Sequence, residues 1–178
     1  MKVLQLCFVS NFWPSHFQVN SIDLKTGGNV LDLPDNFGSN FDLIVSAPPC
    51  DQFTKANSLN WEQSPDYFVS VALKCLKISE LSGKPWLLEN PPGRISVFIP
   101  DLLKYRIATW HGLVTNKEYV VYSNTLFLFN YTPRYGKPGS ILNYSKSKRE
   151  LWQLDFFNEI FPFLVNSVLC FSILFCHG

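Results

Sequence analysis

Two short segments of this chain bring together residue types that do chemistry. Pro48-Pro49-Cys50 follows the apolar run Leu43-Ile44-Val45 and leads into Asp51-Gln52-Phe53-Thr54. A buried strand that stops at a proline pair and then presents a thiol sets a nucleophile at the mouth of a parallel sheet, where open α/β folds hold their ligands. Taken alone, a cysteine after a strand is more often a small buried hydrophobe, and no His or Lys stands beside Cys50 to lower its pKa. The second segment changes the balance. Trp86-Leu87-Leu88-Glu89-Asn90-Pro91-Pro92-Gly93 is another apolar run, and it ends in a carboxylate. Parallel strands laid side by side carry their C-terminal ends to one edge, so the thiol and the carboxyl group are expected at the same crevice.

The stretch Ala47-Pro48-Pro49-Cys50-Asp51-Gln52-Phe53-Thr54 resembles the catalytic loop of DNA cytosine-C5 methyltransferases, and Leu88-Glu89-Asn90-Pro91 resembles their glutamate-asparagine motif, in the family's order and spacing. Trp110-His111-Gly112 followed by Asn116-Lys117 resembles the glycine and lysine positions of short, phage-type members. Val165-Asn166-Ser167-Val168 is similar to the family's closing Gly-Asn-Ser-Val motif. Ser21-Ile22-Asp23-Leu24 and Val30-Leu31-Asp32-Leu33 stand where the family keeps its cofactor-binding acids. The resemblance implies an α/β, Rossmann-like methyltransferase fold, S-adenosylmethionine as cofactor and DNA as substrate. It implies Cys50 and Glu89 as catalytic residues and Phe8, Asp23, Asp32, Pro48, Asn166 and Ser167 at the cofactor. Pro49, Phe53, Thr54, Asn90 and Lys117 are implied at the substrate; for Lys117 a solvated surface lysine is the competing reading.

The chemistry that this resemblance implies explains why those residue types are needed. Cytosine C5 is a poor nucleophile until a thiolate adds to C6 and turns the ring into an enamine, which is the task implied for Cys50. A carboxylic acid hydrogen-bonded at N3 and the exocyclic amine stabilises the ring and favours cytosine over thymine, the task implied for Glu89. An apolar surround from Trp86 and Leu88 is expected to raise its pKa. Pro48 and Pro49 restrict the loop backbone and so prepare the position of the thiol. The target base must be flipped out of the stack to reach such a pocket.

The cofactor half departs from the family pattern. Methyltransferases of this class follow the first strand with a glycine-rich turn and a full helix, whereas Phe8-Val9-Ser10-Asn11-Phe12-Trp13-Pro14-Ser15-His16-Phe17 contains no glycine. The connection is short enough that its helix must be stunted. Gly27-Gly28 does not replace the loop, and Trp13 and His16 are candidates to fill the cofactor's space or to bind it differently. Three function classes stay open: a cytosine-C5 methyltransferase with a reduced cofactor site, Cys50–Glu89 pyrimidine chemistry with another electrophile or on a nucleotide, and a non-catalytic methyltransferase-like binding protein. A partner subunit or a homodimer completing the site is a further expectation.

Composition bounds these readings. A chain of 178 residues is expected to form one domain, residues 1–178, without a separate target-recognition domain. The net charge of +1 lacks the basic footprint of a tight nucleic-acid binder, although Lys137, Lys146, Lys148 and Arg149 cluster with Tyr135 and Tyr144. The cysteines, at 7, 50, 75, 170 and 176, show no metal spacing, so no metal is expected and an intracellular, cytoplasmic setting is the default. The apolar stretch from Ile160 to Cys176 is broken by Pro162, Asn166 and Ser167 and reads as a buried helix end and strand rather than a membrane span.

The elements that must position the chemistry follow from periodicity. Strands are expected at Val3 to Phe8, Val19 to Asp23, Leu43 to Ser46, Trp86 to Glu89, Tyr119 to Tyr122 and Thr125 to Phe129. A helix is expected from Ser64-Pro65, as N-cap and first residue, to about Ser79, and a second from Arg149 to Phe161 with a long loop before it. Apolar strands divided by a helix imply a mostly parallel sheet flanked by helices.

Overall fold

The computed structural model describes residues 1–9, 13, 15–54, 58, 59, 61, 62, 64–111 and 118–125. Its centre is a sheet of β1 (Lys2–Leu6), β2 (Gln18–Ile22), β3 (Leu43–Ser46), β4 (Trp86–Asn90), β5 (Arg106–His111) and β6 (Glu118–Ser123). The spatial order is β2-β1-β3-β4-β6-β5. The first four strands in that order are mutually parallel, β6 runs antiparallel to β4, and β5 runs antiparallel to β6. Helix α1 (Asp66–Leu81) makes the crossover from β3 to β4. This is an α/β, Rossmann-like architecture.

Burial separates the strands by position. Every residue of β3 and β4 is buried, as central parallel strands require, whereas β2 alternates exposed Gln18 and Asn20 with half-buried neighbours at the sheet edge. One face carries Leu4, Leu6, Ile44, Trp86 and Leu88 against Val71, Ala72, Cys75 and Ile78 of α1. The opposite face gathers Val3, Leu43, Val45, Leu87, Tyr119 and Val121 with Phe8 and Phe17.

Several boundaries differ from those the sequence predicts. β1 ends at Leu6 rather than Phe8, because Cys7 takes a left-handed conformation, φ 66°, and turns the chain out of the strand. β2 ends at Ile22, since Asp23 instead caps a 3-10 turn, its side chain accepting from the Lys25 amide. In α1 the N-cap is Pro65 rather than Ser64; the Pro65 carbonyl accepts from the Val69 amide at 3.0 Å, so the helix begins at Asp66. Past its C-terminal end, Gly83 adopts φ 65°, the left-handed residue that commonly stops a helix. The short helix α2 (Ile95–Phe98) and strand β5 were not anticipated. A register shift between Arg106 and Ala108 disturbs the period in β5, and pairing with β6 supplies what its own pattern does not. No helix is found between β1 and β2 among the described residues, and residues 10–12 and 14 of that connection lie outside them.

The expected strand residues 126–129, the loop at 131–147 with its basic and aromatic cluster, the helix at 149–161 and the apolar stretch 160–176 lie outside the described residues. Among the described residues no helix is long and apolar enough to cross a membrane.

Gly38 lies buried where a 3-10 turn (Phe37–Asn40) passes under the end of α1. A Cβ there would stand 2.6 Å from Ile44 Cδ1, 3.0 Å from Ser82 Cβ and 3.1 Å from the Ile78 carbonyl oxygen. Gly38→Ala is expected to destabilise the protein by about 1–3 kcal/mol through overpacking. A lower urea midpoint at constant slope is the expected reading, and an unchanged midpoint would show that the turn is not packed tightly on α1.

Candidate functional site

The pairing of β3 with β4 sets Ser46 opposite Leu88, so the segments that follow, Ala47–Cys50 and Glu89–Gly93, leave the sheet together. Asn90 fastens them. Its Nδ2 donates to the Pro48 carbonyl at 3.1 Å, and the side chain is fully buried with Oδ1 lacking a hydrogen-bond partner. Beyond Pro49 the chain closes a tight turn, in which the Cys50 carbonyl accepts from the Phe53 and Thr54 amides, both at 2.8 Å. Thr54 bridges Gly93, and the Arg94 amide donates to the Phe53 carbonyl at 2.9 Å. A Cβ on Gly93 would lie 1.7 Å from the Phe53 carbonyl oxygen, so this close approach demands glycine. Cys50 is half-buried in the turn, and Glu89 is 5% exposed at the end of β4.

The apolar neighbours of Glu89 are not those the sequence suggested. Side chains alternate across a strand, so Trp86 and Leu88 belong to the face against α1, whereas Glu89 shares its face with Leu87. Val121 stands opposite Glu89 on β6 and packs into the same cluster as Leu87. The field of the carboxylate reaches Tyr122: burial raises that phenol above its ordinary pKa, Arg106 opposes the rise and Glu89 adds to it.

A separate pocket, of about 60 Å³, opens at the C-terminal ends of β1, β2 and β3. Cys7, Ile22, Asp23, Gly28, Asn29, Val30 and Pro49 line it, with Tyr67 and Val71 of α1. The chain passes from β1 outward to β2 and then returns across β1 to β3, so this is the topological switch point of the sheet. Asp23 is 7% exposed there. Cys7 places its Sγ 3.6 Å from Cys75 Sγ, a contact that, together with burial, pushes the Cys75 thiol well up.

The structure thus brings Cys50, Pro48, Thr54, Glu89 and Asn90 to one edge, and puts Asp23 and Pro49 at the adjoining pocket. Asn90 spends its donor on the Pro48 backbone. Phe53 is fully buried against Phe68 and Phe98. Phe8 is buried in the cluster on the opposite face, and Asp32 is exposed in the 3-10 turn Val30–Asp32, outside the pocket lining. Trp13 and His16 do not fill the pocket; they stack on Phe17, with Trp13 packed into that same opposite cluster. Lys117, Asn166 and Ser167 lie outside the described residues, as do Gly112 and Asn116. Sequence reasoning missed Gly28, Asn29, Tyr67 and Cys7 in the pocket and Arg94 beside the turn; the last was marked only by following Pro-Pro-Gly. No cluster of three or more metal-ligating side chains occurs among the described residues.

No protein-family model and no curated protein matches the chain. Among solved structures that match is an E. coli protein proposed to be a DNA modification methyltransferase and encoded within a prophage. It is 13% identical, the match covers 69% of this chain and 46% of that one, and the TM-score is 0.41. The chain therefore spans under half the length of that structure, and the fold assignment rests on the sheet order and not on this likeness.

Asn90→Ala removes the tie to Pro48 and leaves that buried carbonyl without its donor. A stability loss of about 1–3 kcal/mol is expected in urea unfolding. A loss below a few tenths would mean that the β3–β4 pairing and the contacts of Gly93 and Arg94 with Phe53 and Thr54 hold the two segments without Asn90.

Proposed function

We propose that this protein is a methyltransferase acting on C5 of cytosine in DNA, with S-adenosylmethionine as methyl donor. The observation that carries the reading is the fastening of the Pro-Pro-Cys turn to the Glu-Asn-Pro segment, through Asn90 to Pro48 and Gly93 against Phe53. Two motifs that resemble one family's catalytic pair, held together at the edge of adjacent parallel strands, are what pyrimidine C5 chemistry needs.

In this reading Cys50 loses its proton and its sulfur adds to C6 of a flipped cytosine. Glu89, at N3 and the exocyclic amine, stabilises the ring as electrons move toward C5. After C5 is substituted, loss of its proton returns the electron pair to the C5–C6 bond and expels the Cys50 thiolate. The pocket residues suit the nucleoside portion of the cofactor. Asp23 offers a buried carboxylate as acceptor for ribose hydroxyls, and Ile22, Val30 and Pro49 offer an apolar wall for a base. S-adenosylmethionine, when bound, supplies an electrophilic methyl group.

A second reading keeps the Cys50 and Glu89 chemistry on a free nucleotide. The glycine-free segment after β1 and the net charge of +1 favour it.

Incubation with DNA containing 5-fluorocytosine decides between them, because fluorine at C5 blocks the release of the thiol. A covalent adduct that needs both S-adenosylmethionine and Cys50 is expected, and it should vanish in Cys50→Ala. Glu89→Gln should slow methyl transfer to ordinary DNA by about a hundredfold or more. An adduct on the fluorinated mononucleotide and none on DNA favours the second reading; no adduct on either, from folded protein, overturns both.

A further inference from the structure

Beside the Cys50 turn stands a cation that the chemistry above does not use. The Arg94 guanidinium lies over two rings, its central carbon 4.6 Å from the Trp61 centroid and 5.0 Å from that of Phe98. Its Nε donates to the Gln52 carbonyl at 2.9 Å and its Nη2 to the Glu62 carbonyl at 2.6 Å. Its backbone amide already holds the Phe53 carbonyl. Around it, Gln52 Oε1 accepts from the Glu62 amide at 2.8 Å, and Trp61 Nε1 donates to the Thr54 carbonyl at 3.1 Å.

We propose that Arg94 is the positioning residue of the Cys50 turn, clamping Gln52 and Phe53 on one side and Glu62 on the other so that the thiol meets its substrate in a fixed attitude. A side chain of this kind must be arginine. Only a planar fork directs two N–H groups to two separate carbonyls while its flat surface also lies over rings; the point charge of lysine does neither. Because Arg94 follows Gly93 and Pro92, the clamp is built on the segment that leaves Glu89, and it couples the positions of thiol and carboxyl group.

The inference rests on Cys50 as the nucleophile of the proposed reaction, and the test separates the two. Arg94→Lys is compared with the wild-type full-length protein by hydrogen exchange and by methyl-transfer kinetics, with Arg94→Met alongside should the lysine variant fail to fold. Amides of the 50–54 turn are expected to exchange about tenfold faster or more while those of α1 stay as in wild type. With a loosened thiol, kcat is expected to fall about tenfold or more while KM for DNA stays within about twofold. Unchanged exchange at 50–54, or equal acceleration throughout the chain, overturns the clamp, as does a lysine variant with wild-type kcat. A wild-type protein without methyl transfer overturns the proposed function instead, and the exchange comparison still decides the role of Arg94.

Discussion

Everything at this site depends on how β3 lies against β4. Their ladder is short, running from Ile44 opposite Trp86 to Ser46 opposite Leu88, yet it fixes which residues emerge side by side at the sheet edge. A slip of one residue would invert every side chain and send Glu89 to the α1 face. Complete burial of both strands guards against this, since each face meets its own apolar cluster. Hydroxyl groups tie β4 to both of its neighbours: Ser46 of β3 donates to the Leu87 carbonyl and Ser123 of β6 to the Trp86 carbonyl. Asn90 then carries the registration past the last strand pair into the loops.

The switch point gives the same sheet a second opening. β1 ends early because Cys7 turns, β2 ends because Asp23 caps the next turn, and Pro49 comes across from β3. Pro48 and Pro49 are consecutive, yet one takes the Asn90 bond and the other lines this pocket. The proline pair is therefore the partition between the two openings, and its restricted backbone keeps them in fixed relation.

Much of this was legible in the sequence because the decisive elements are strongly patterned. Leu43–Ser46 and Trp86 to Glu89 read as strands without any structure, being apolar runs followed by proline segments, and the second extends one residue further, to Asn90. The crossover helix was legible from its apolar spacing, though its cap was not, since cap choice turns on which carbonyl accepts the first helical bond. β5 was illegible because its irregular register erases the alternation on which strand recognition depends. In the site, the emergence of the Pro-Pro-Cys and Glu-Asn-Pro segments at one sheet edge followed from parallel-strand logic. The surroundings of Glu89 did not, because neighbours in sequence are neighbours in space only on alternate positions. Arg94 was hidden for another reason: its partners are backbone carbonyls, which leave no trace in residue type.

That last property bears on how such a chain can diverge. The atoms that hold the Cys50 turn accept through main-chain oxygens of Pro48, Cys50, Gln52, Phe53, Thr54 and Glu62. Any non-proline residue brings the same carbonyl oxygen, so at Thr54 and Glu62, whose side chains the clamp does not use, mutation can proceed without removing an acceptor of the turn. Side-chain donors to these oxygens sit elsewhere, among them Asn90, Arg94 and Trp61. Such a site can lose part of its visible sequence signature over evolutionary time and still keep its shape.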